Sequence, residues 1–278
     1  MAGSQAHLRG IPVLFVRHGQ SANNVLWESL MEKITKENVP RSEVERLWGE
    51  VHIDDPDLTK KGADEAVQLG NYIRGGLDWL GRTLRFYTSP FKRTLDTTDN
   101  ITKAFSKEQY DVLVHPQIYE TGGVYYINKQ NLRDGPGKCF SRPDIERLYG
   151  YDASALPAEG PWYASGWESD SQSRERANGV SNWIKSAEFR ELNENKIVVF
   201  VMHGNFIDHL QKAMMNIPED ATIDSKVTND HTVHPVSFGT PNTATSLFFV
   251  FKDGRISVRY IGNVAHLNSC LETSYGRL

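Results

Sequence analysis

Residues 11–16, Ile-Pro-Val-Leu-Phe-Val, carry no charge and run directly into Arg17-His18-Gly19. A short apolar run of this kind is the pattern of a strand buried on both faces, as in a parallel sheet. Ending it on an arginine and a histidine is costly unless those groups meet a partner. The pattern recurs. "RTLRFYTSP" holds a strand near residues 84–88, "DVLVHP" a short third one, and "KIVVFVMHG" the most apolar of all. "TSLFFVFKDGRISVRYIG" predicts two strands joined at Asp253-Gly254, a hairpin signal.

Helical patterns fill the gaps. Ala66, Gly70, Ile73 and Leu77 share one face of "LTKKGADEAVQLGNYIRGG", with Thr59 as its cap and Gly75-Gly76 as its end. Phe91, Leu95, Thr98, Thr102 and Phe105 form a second stripe, with Ser89 at the N-cap and Pro90 at the first helical position. Ala177, Val180, Ile184 and Ala187 form a third, and Phe206, Ile207, Leu210, Ala213 and Met214 a fourth. Strands alternating with helices predict a three-layer α/β/α fold with a mainly parallel central sheet. The last hairpin adds an antiparallel edge.

Two stretches interrupt this rhythm. Residues 25–56 predict a helical insertion after the first strand, with a capping box from Ser42 to Glu45. Residues 122–167 are rich in glycine, proline and aromatics, and predict a lid that sets substrate specificity. No linker divides the chain, so residues 1–278 are expected to form one domain.

A net charge of −4 and an ordinary balance of apolar and charged residues exclude no small anionic ligand, but announce neither a nucleic-acid nor a membrane partner. Cys139 and Cys270 are the only cysteines, too few and too far apart for a disulfide framework or a zinc pattern. With no apolar leader in "MAGSQAHLRG", the expectation is a cytoplasmic protein. Oligomeric state is not legible.

The residues following the strands are chemically coherent. Arg17 and His18 follow the first, Ser89 and Arg93 the second, Glu120 the short third, and His203 the fourth. Ligands of open α/β sheets bind outside the carboxyl ends of the strands. Two arginines are suited to clamp a phosphate. Helix N-termini at Ser89 and Gly204 add amide donors, and Gly19 and Gly204 allow close backbone approach. A histidine forms covalent intermediates, and a glutamate beside a bound dianion is suited to donate a proton. Each residue alone is unremarkable as a polar strand end or loop acid. Their joint placement is what points to phosphoryl chemistry.

At these residues the chain resembles the histidine phosphatase superfamily, in its phosphoglycerate mutase-like branch. "RHGQS" with Asn24 is similar to the first signature of that family, carrying Arg17, His18, Gly19, Gln20 and Ser21. "LTKKG", "TSPFKRTLDTT", "YETGG", "VVFVMHGNFID" and "PNTATS" resemble later segments, in family order. The resemblance implies that His18 attacks phosphorus and becomes a phosphohistidine. It implies that Arg17, Arg93, His203 and Asn24, with Gly204 and Asn205 beside them, hold the phosphoryl oxygens, and that Glu120 protonates the leaving alcohol. It implies no metal and no cofactor, and a small phosphorylated substrate.

Glu120-Thr121-Gly122-Gly123 departs from the Glu-Arg-His-Tyr-Gly of the mutases, and Arg174 and Arg176 are separated where the mutases carry an adjacent pair. Both departures favour a phosphatase over a mutase. The mutase alternative rests on Lys129, Arg133, Lys138 and Arg142, which offer cations from the lid. A non-catalytic phospholigand-binding protein is a lower alternative, since His18, Arg93 and Glu120 are all present. A metal site at His231 with His234 has no matching acid pattern, and His203 and His209, six residues apart, fall on different helix faces, so no metal is expected.

Overall fold

A six-stranded sheet, ordered β3-β2-β6-β1-β7-β8, forms the centre of the molecule. The computed structural model describes residues 10–77, 82–128, 130, 132–218 and 236–267. The strands of the sheet are β1 (Ile11–Arg17), β2 (Thr83–Thr88), β3 (Tyr110–Val114), β6 (Lys196–Met202), β7 (Thr245–Val250) and β8 (Ile256–Asn263). β6 pairs in parallel with β1 and β2, and β2 in parallel with β3. β7 runs antiparallel to β1, and β8 antiparallel to β7, turning at Gly254 with φ +79°. The antiparallel edge predicted from Asp253-Gly254 is therefore present.

Alternation along β1 divides the core. Leu14 and Val16 face one cluster, with Ala66, Leu69 and Ile73 of α3 (Lys60–Leu77) and Phe91, Leu95 and Ile101 of the α4 region. Ile11, Val13 and Phe15 face the other, against α6 (Asp170–Lys185), α7 (Ala187–Leu192) and α8 (Gly204–Met214). Every residue from 197 to 202 of β6 is buried, at roughly 1.5–3 kcal/mol for each large apolar side chain. The result is the three-layer α/β/α arrangement.

Several boundaries differ from the sequence expectations. α3 continues through Gly75-Gly76 to Leu77, since a glycine weakens a helix without forbidding it. α4 (Lys92–Thr102) begins two residues beyond Pro90, with Phe91 rather than Ser89 at the N-cap. Asp55 takes over the capping: its carboxylate accepts from the Lys92 amide at 2.9 and 3.2 Å. α2 (Arg41–Val51) starts after Pro40, so Ser42 lies inside the helix and Glu45 pairs with Arg41 instead of closing a capping box.

α2 and the preceding α1 (Ala22–Glu37) pack through Leu30, Val44 and Trp48 into a small separate cluster. Residues 122–167 hold a two-stranded hairpin, β4 (Tyr126–Ile127) with β5 (Arg133–Asp134), and α5 (Arg142–Tyr149). Asp54 ties the two regions together, accepting from the Lys138 amide at 2.9 Å. Among the described residues no helix is long and apolar enough to cross a membrane. Lys129, His231, His234 and Cys270 lie outside the described residues.

Candidate active site

Because β2, β6 and β1 are parallel neighbours, their carboxyl ends open on one edge. The His18 amide donates to Met202 O at 2.9 Å, and the Ser89 amide to Val201 O at 3.1 Å. Backbone pairing thus continues one residue past each strand and brings residues 18, 89 and 203 together.

His18 is 3% exposed. Its Nδ1 lies 2.7 Å from Gly19 O, and its Nε2 lies 3.2 Å from Arg93 Nε. A carbonyl only accepts and a guanidinium only donates. The ring is therefore neutral, with its proton on Nδ1 and its lone pair on Nε2. Burial, then the charges of Arg93 and Arg17, hold the His18 pKa well below its ordinary value of 6.5. The two arginines are themselves buried. Arg17 donates from Nη1 to Thr240 O at 2.7 Å, and burial lowers its pKa to about 10. Arg93 lies 4.2 Å over the Phe91 ring, and burial lowers its pKa too. Both arginines feel the charge of Glu120.

His203 is fully buried, with its ring centroid 5.3 Å from that of His18. Its Nε2 meets Ser89 Oγ at 2.8 Å, while its Nδ1 has no hydrogen-bond partner among the described residues. A buried polar atom left without a partner costs about 1–3 kcal/mol, so an anion at this place would relieve it. Burial and Arg93 keep this imidazole's pKa well below 6.5.

Glu120 is half-buried, and its Oε1 accepts from the Thr121 amide at 2.9 Å and the Phe206 amide at 3.1 Å. It is therefore fastened to the first turn of α8 by the Phe206 amide. Gly204 opens the same helix, and a Cβ there would lie 3.3 Å from Arg17 Nε. Asn205 is exposed at the next position.

The segment 18–24 is held from several directions. A Cβ on Gly19 would lie 2.3 Å from Gly62 O, and one on Gly62 only 2.1 Å from Gln20 O, so both positions require glycine. The Gly19 amide donates to Thr97 Oγ1 and the Gln20 amide to Glu65 Oε2. Asn24 Oδ1 accepts from both the amide and the hydroxyl of Ser21, capping α1. Asn242 donates to His18 O at 3.0 Å. The expected substrate ligands Ser21 and Asn24 are thus also structural to this turn.

Sequence reasoning missed Ser89 as the partner of His203, as well as Asp55, Glu65, Thr97 and Thr240. Ser89 was visible only as a helix cap. The others act from distant positions and give no local signal. Of the lid cations weighed for a carboxylate contact, Arg142 pairs with Glu146 and Arg133 lies over the Trp167 ring. Of the separated arginines, Arg176 is buried in a pair with Glu168 at 2.6 Å and Arg174 pairs with Asp170. Of the metal candidates, His209 pairs with Asp170. A surface cleft of about 430 Å³ lies near the Glu120 loop, lined by Tyr119, Tyr163, Trp167, Glu168 and Arg176 among others. None of His18, Arg93 and His203 lines it, and its Arg176–Glu168 pair is closed on itself.

The comparisons bear on the same residues. The chain resembles the ecdysone phosphate phosphatase of Bombix mori solved with tungstate, with a TM-score of 0.56 and 16% identity over 96% of this chain and 97% of that one. It also resembles a protein described as mycobacterial hydrolase 2, with a TM-score of 0.50 and 17% identity over 95% of each chain. At such identities the likeness speaks for the fold, which is the phosphoglycerate mutase-like α/β sheet expected from the sequence. Among curated proteins no sequence matches the chain. The model of the histidine phosphatase superfamily (branch 1) matches residues 13–124, and that match supports an enzyme acting on phosphate, phosphatase or mutase-like. The matched residues carry β1, α3, α4 and the Glu120 loop, so over this part the chain is similar to the histidine phosphatase superfamily, as its motifs suggested.

Proposed function

We propose that the protein hydrolyses a small phosphate monoester through a phosphohistidine on His18. The observation that supports this most is the state of the His18 ring, with Nδ1–H facing Gly19 O and the Nε2 lone pair beside Arg93. In the first step Nε2 attacks phosphorus in line, the P–N bond forms, and the P–O bond to the alcohol breaks. Glu120 gives its proton to the departing oxygen. In the second step Glu120 takes a proton from water, the water oxygen attacks phosphorus, and the P–N bond breaks to release phosphate. Arg17, Arg93 and the buried Nδ1 of His203 bear the charge that spreads over the phosphoryl oxygens. Ser21 and Asn24 set the turn that carries His18, and Gly19, Gly204 and Asn205 border the anion.

A phosphatase fits better than a mutase. Thr121-Gly122-Gly123 supplies no cation next to Glu120, and Arg174, Arg176 and Arg142 are engaged elsewhere. Supplying 3-phosphoglycerate with its bisphosphate primer separates the two. Release of inorganic phosphate, undiminished by a chelator, is expected, whereas isomerisation without release would overturn the phosphatase assignment.

A further inference from the structure

Arg176 of α6 has every donor engaged. Its Nε and Nη2 hold the two oxygens of Glu168 at 2.8 and 2.6 Å. Its Nη1 donates to Gln117 O at 2.8 Å and to Tyr119 O at 3.0 Å, and Nη2 also reaches Ser173 Oγ at 3.3 Å. A guanidinium carries five N–H groups, so none is left for a substrate. Two aromatic rings cover it, with Cζ 3.6 Å from the centre of Tyr119 and 4.2 Å from that of Phe206. The side chains of Arg176 and Glu168 are 6% and 7% exposed.

These contacts converge on the Glu120 loop. Beyond the two carbonyls that Arg176 holds, the Tyr119 hydroxyl donates to Glu168 Oε1 at 3.1 Å. Thr121 Oγ1 meets Ser173 Oγ at 2.8 Å, and the Glu168 amide donates to Gly122 O at 3.3 Å. Residues 117, 119, 121 and 122 are thus tied to residues 168, 173 and 176, with Glu120 between them. The Glu120 carboxylate itself accepts from the Phe206 amide, and the Phe206 ring lies against the same guanidinium. One cation therefore touches both the backbone that presents Glu120 and the residue that holds its carboxylate. A buried ion pair is weak evidence for stability, because desolvation offsets the attraction. What this pair provides is a fixed place for the loop.

We infer that Arg176, paired with Glu168, is the positioning residue for the proton donor: it fixes residues 117–122 so that the Glu120 carboxyl stands at the departing oxygen. This rests on the assignment of Glu120 as general acid. Proton transfer depends steeply on placement, and a shift of about 1 Å costs about 10²-fold. Lysine has three N–H groups on one atom and cannot span a carboxylate and two carbonyls as the guanidinium fork does. It still leaves a charge beside Glu168, so Arg176→Lys loosens the loop without stranding a buried carboxylate.

The test compares single-turnover release of the alcohol from an alkyl phosphate and from nitrophenyl phosphate. Arg176→Lys is expected to slow the alkyl ester by about tenfold more than the nitrophenyl ester. In the Glu120→Gln background it is expected to add no further slowing, because it acts only through the carboxyl. Arg85→Lys is the control. That arginine forks between Asp111 and Leu192 O instead of the loop, and its loss is expected to leave the ratio of the two esters unchanged. Should the lysine variant at 176 fail to fold, Ser173→Ala carries the same comparison, since it removes only the hydroxyl that meets Thr121 and Arg176. Equal slowing of both esters, or further slowing when Glu120 is already Gln, overturns the positioning role and leaves a selective Glu120→Gln effect standing. Equal slowing of both esters by Glu120→Gln itself removes the acid assignment, and the positioning role with it.

Discussion

Arg93 Nε lies 3.2 Å from His18 Nε2 and donates to it, so the atom assigned as nucleophile is held as a bare lone pair by the group assigned to clamp the substrate. A protonated His18 has no such lone pair. Burial and the two arginines disfavour the imidazolium, which keeps the pKa well below 6.5 and the reactive form present down to lower pH. The His18 ring resonances are therefore expected not to titrate between about pH 6.5 and 8, around the ordinary histidine value. An NMR titration of the free enzyme checks this, and a midpoint at or above 6.5 would contradict it.

Glu120 is held at the first turn of α8 by the Phe206 amide, and Gln in its place keeps that acceptor while losing the proton. Glu120→Gln should slow alkyl phosphates by about 10²–10⁴. Nitrophenyl phosphate, whose alcohol leaves without help, should be slowed far less in its first step. Single-turnover rates across a series of leaving groups give the comparison. Equal slowing throughout would remove Glu120 from the acid role.

Ser89 Oγ is the partner of His203 Nε2 at 2.8 Å and fixes the ring whose Nδ1 has no hydrogen-bond partner among the described residues. Ser89→Ala is expected to cost about 1–3 kcal/mol of stability and to lower kcat by about tenfold through a misplaced His203. Unfolding curves and kcat measured on the same samples separate the two effects. A stability loss with unchanged kcat would make Ser89 purely structural.

These two residues also mark how far the sequence could be read. The alternation of apolar strands and helical stripes settled the α/β class, because burial on both faces leaves runs such as residues 197–202 with few other folds. His18, Arg93, Glu120 and His203 were legible as residues that follow strands. Ser89 was misread as a cap, since a hydroxyl before Pro90 carries that signal locally and its actual partner lies 114 residues away. Asp55 was invisible within its insertion for the same reason: it serves the first turn of another helix. The hairpin and α5 inside residues 122–167 escaped detection, because two-residue strands carry no periodicity.

Asp55 yields a pH-dependent prediction. Burial raises its carboxyl from 3.8 to about 7 despite the nearby Arg93. Below about pH 4 the group is protonated in both folded and unfolded chains and makes no difference. As pH rises toward 7 the unfolded chain ionises first, so folding stability falls, and above 7 the loss is constant. Asp55→Asn cannot ionise. It should match the wild-type Tm near pH 4 and exceed it near pH 8 by a few degrees. Thermal melts at both values check the sign, and a variant less stable at pH 8 than at pH 4 relative to wild type would reverse it.

The central claim is a covalent bond from phosphorus to His18 Nε2. Turnover of a radiolabelled aryl phosphate, quenched in alkaline denaturant where phosphohistidine survives, tests it directly. Label is expected on the peptide containing His18, and none in His18→Ala. Label on another residue, or label retained in His18→Ala, would contradict the mechanism.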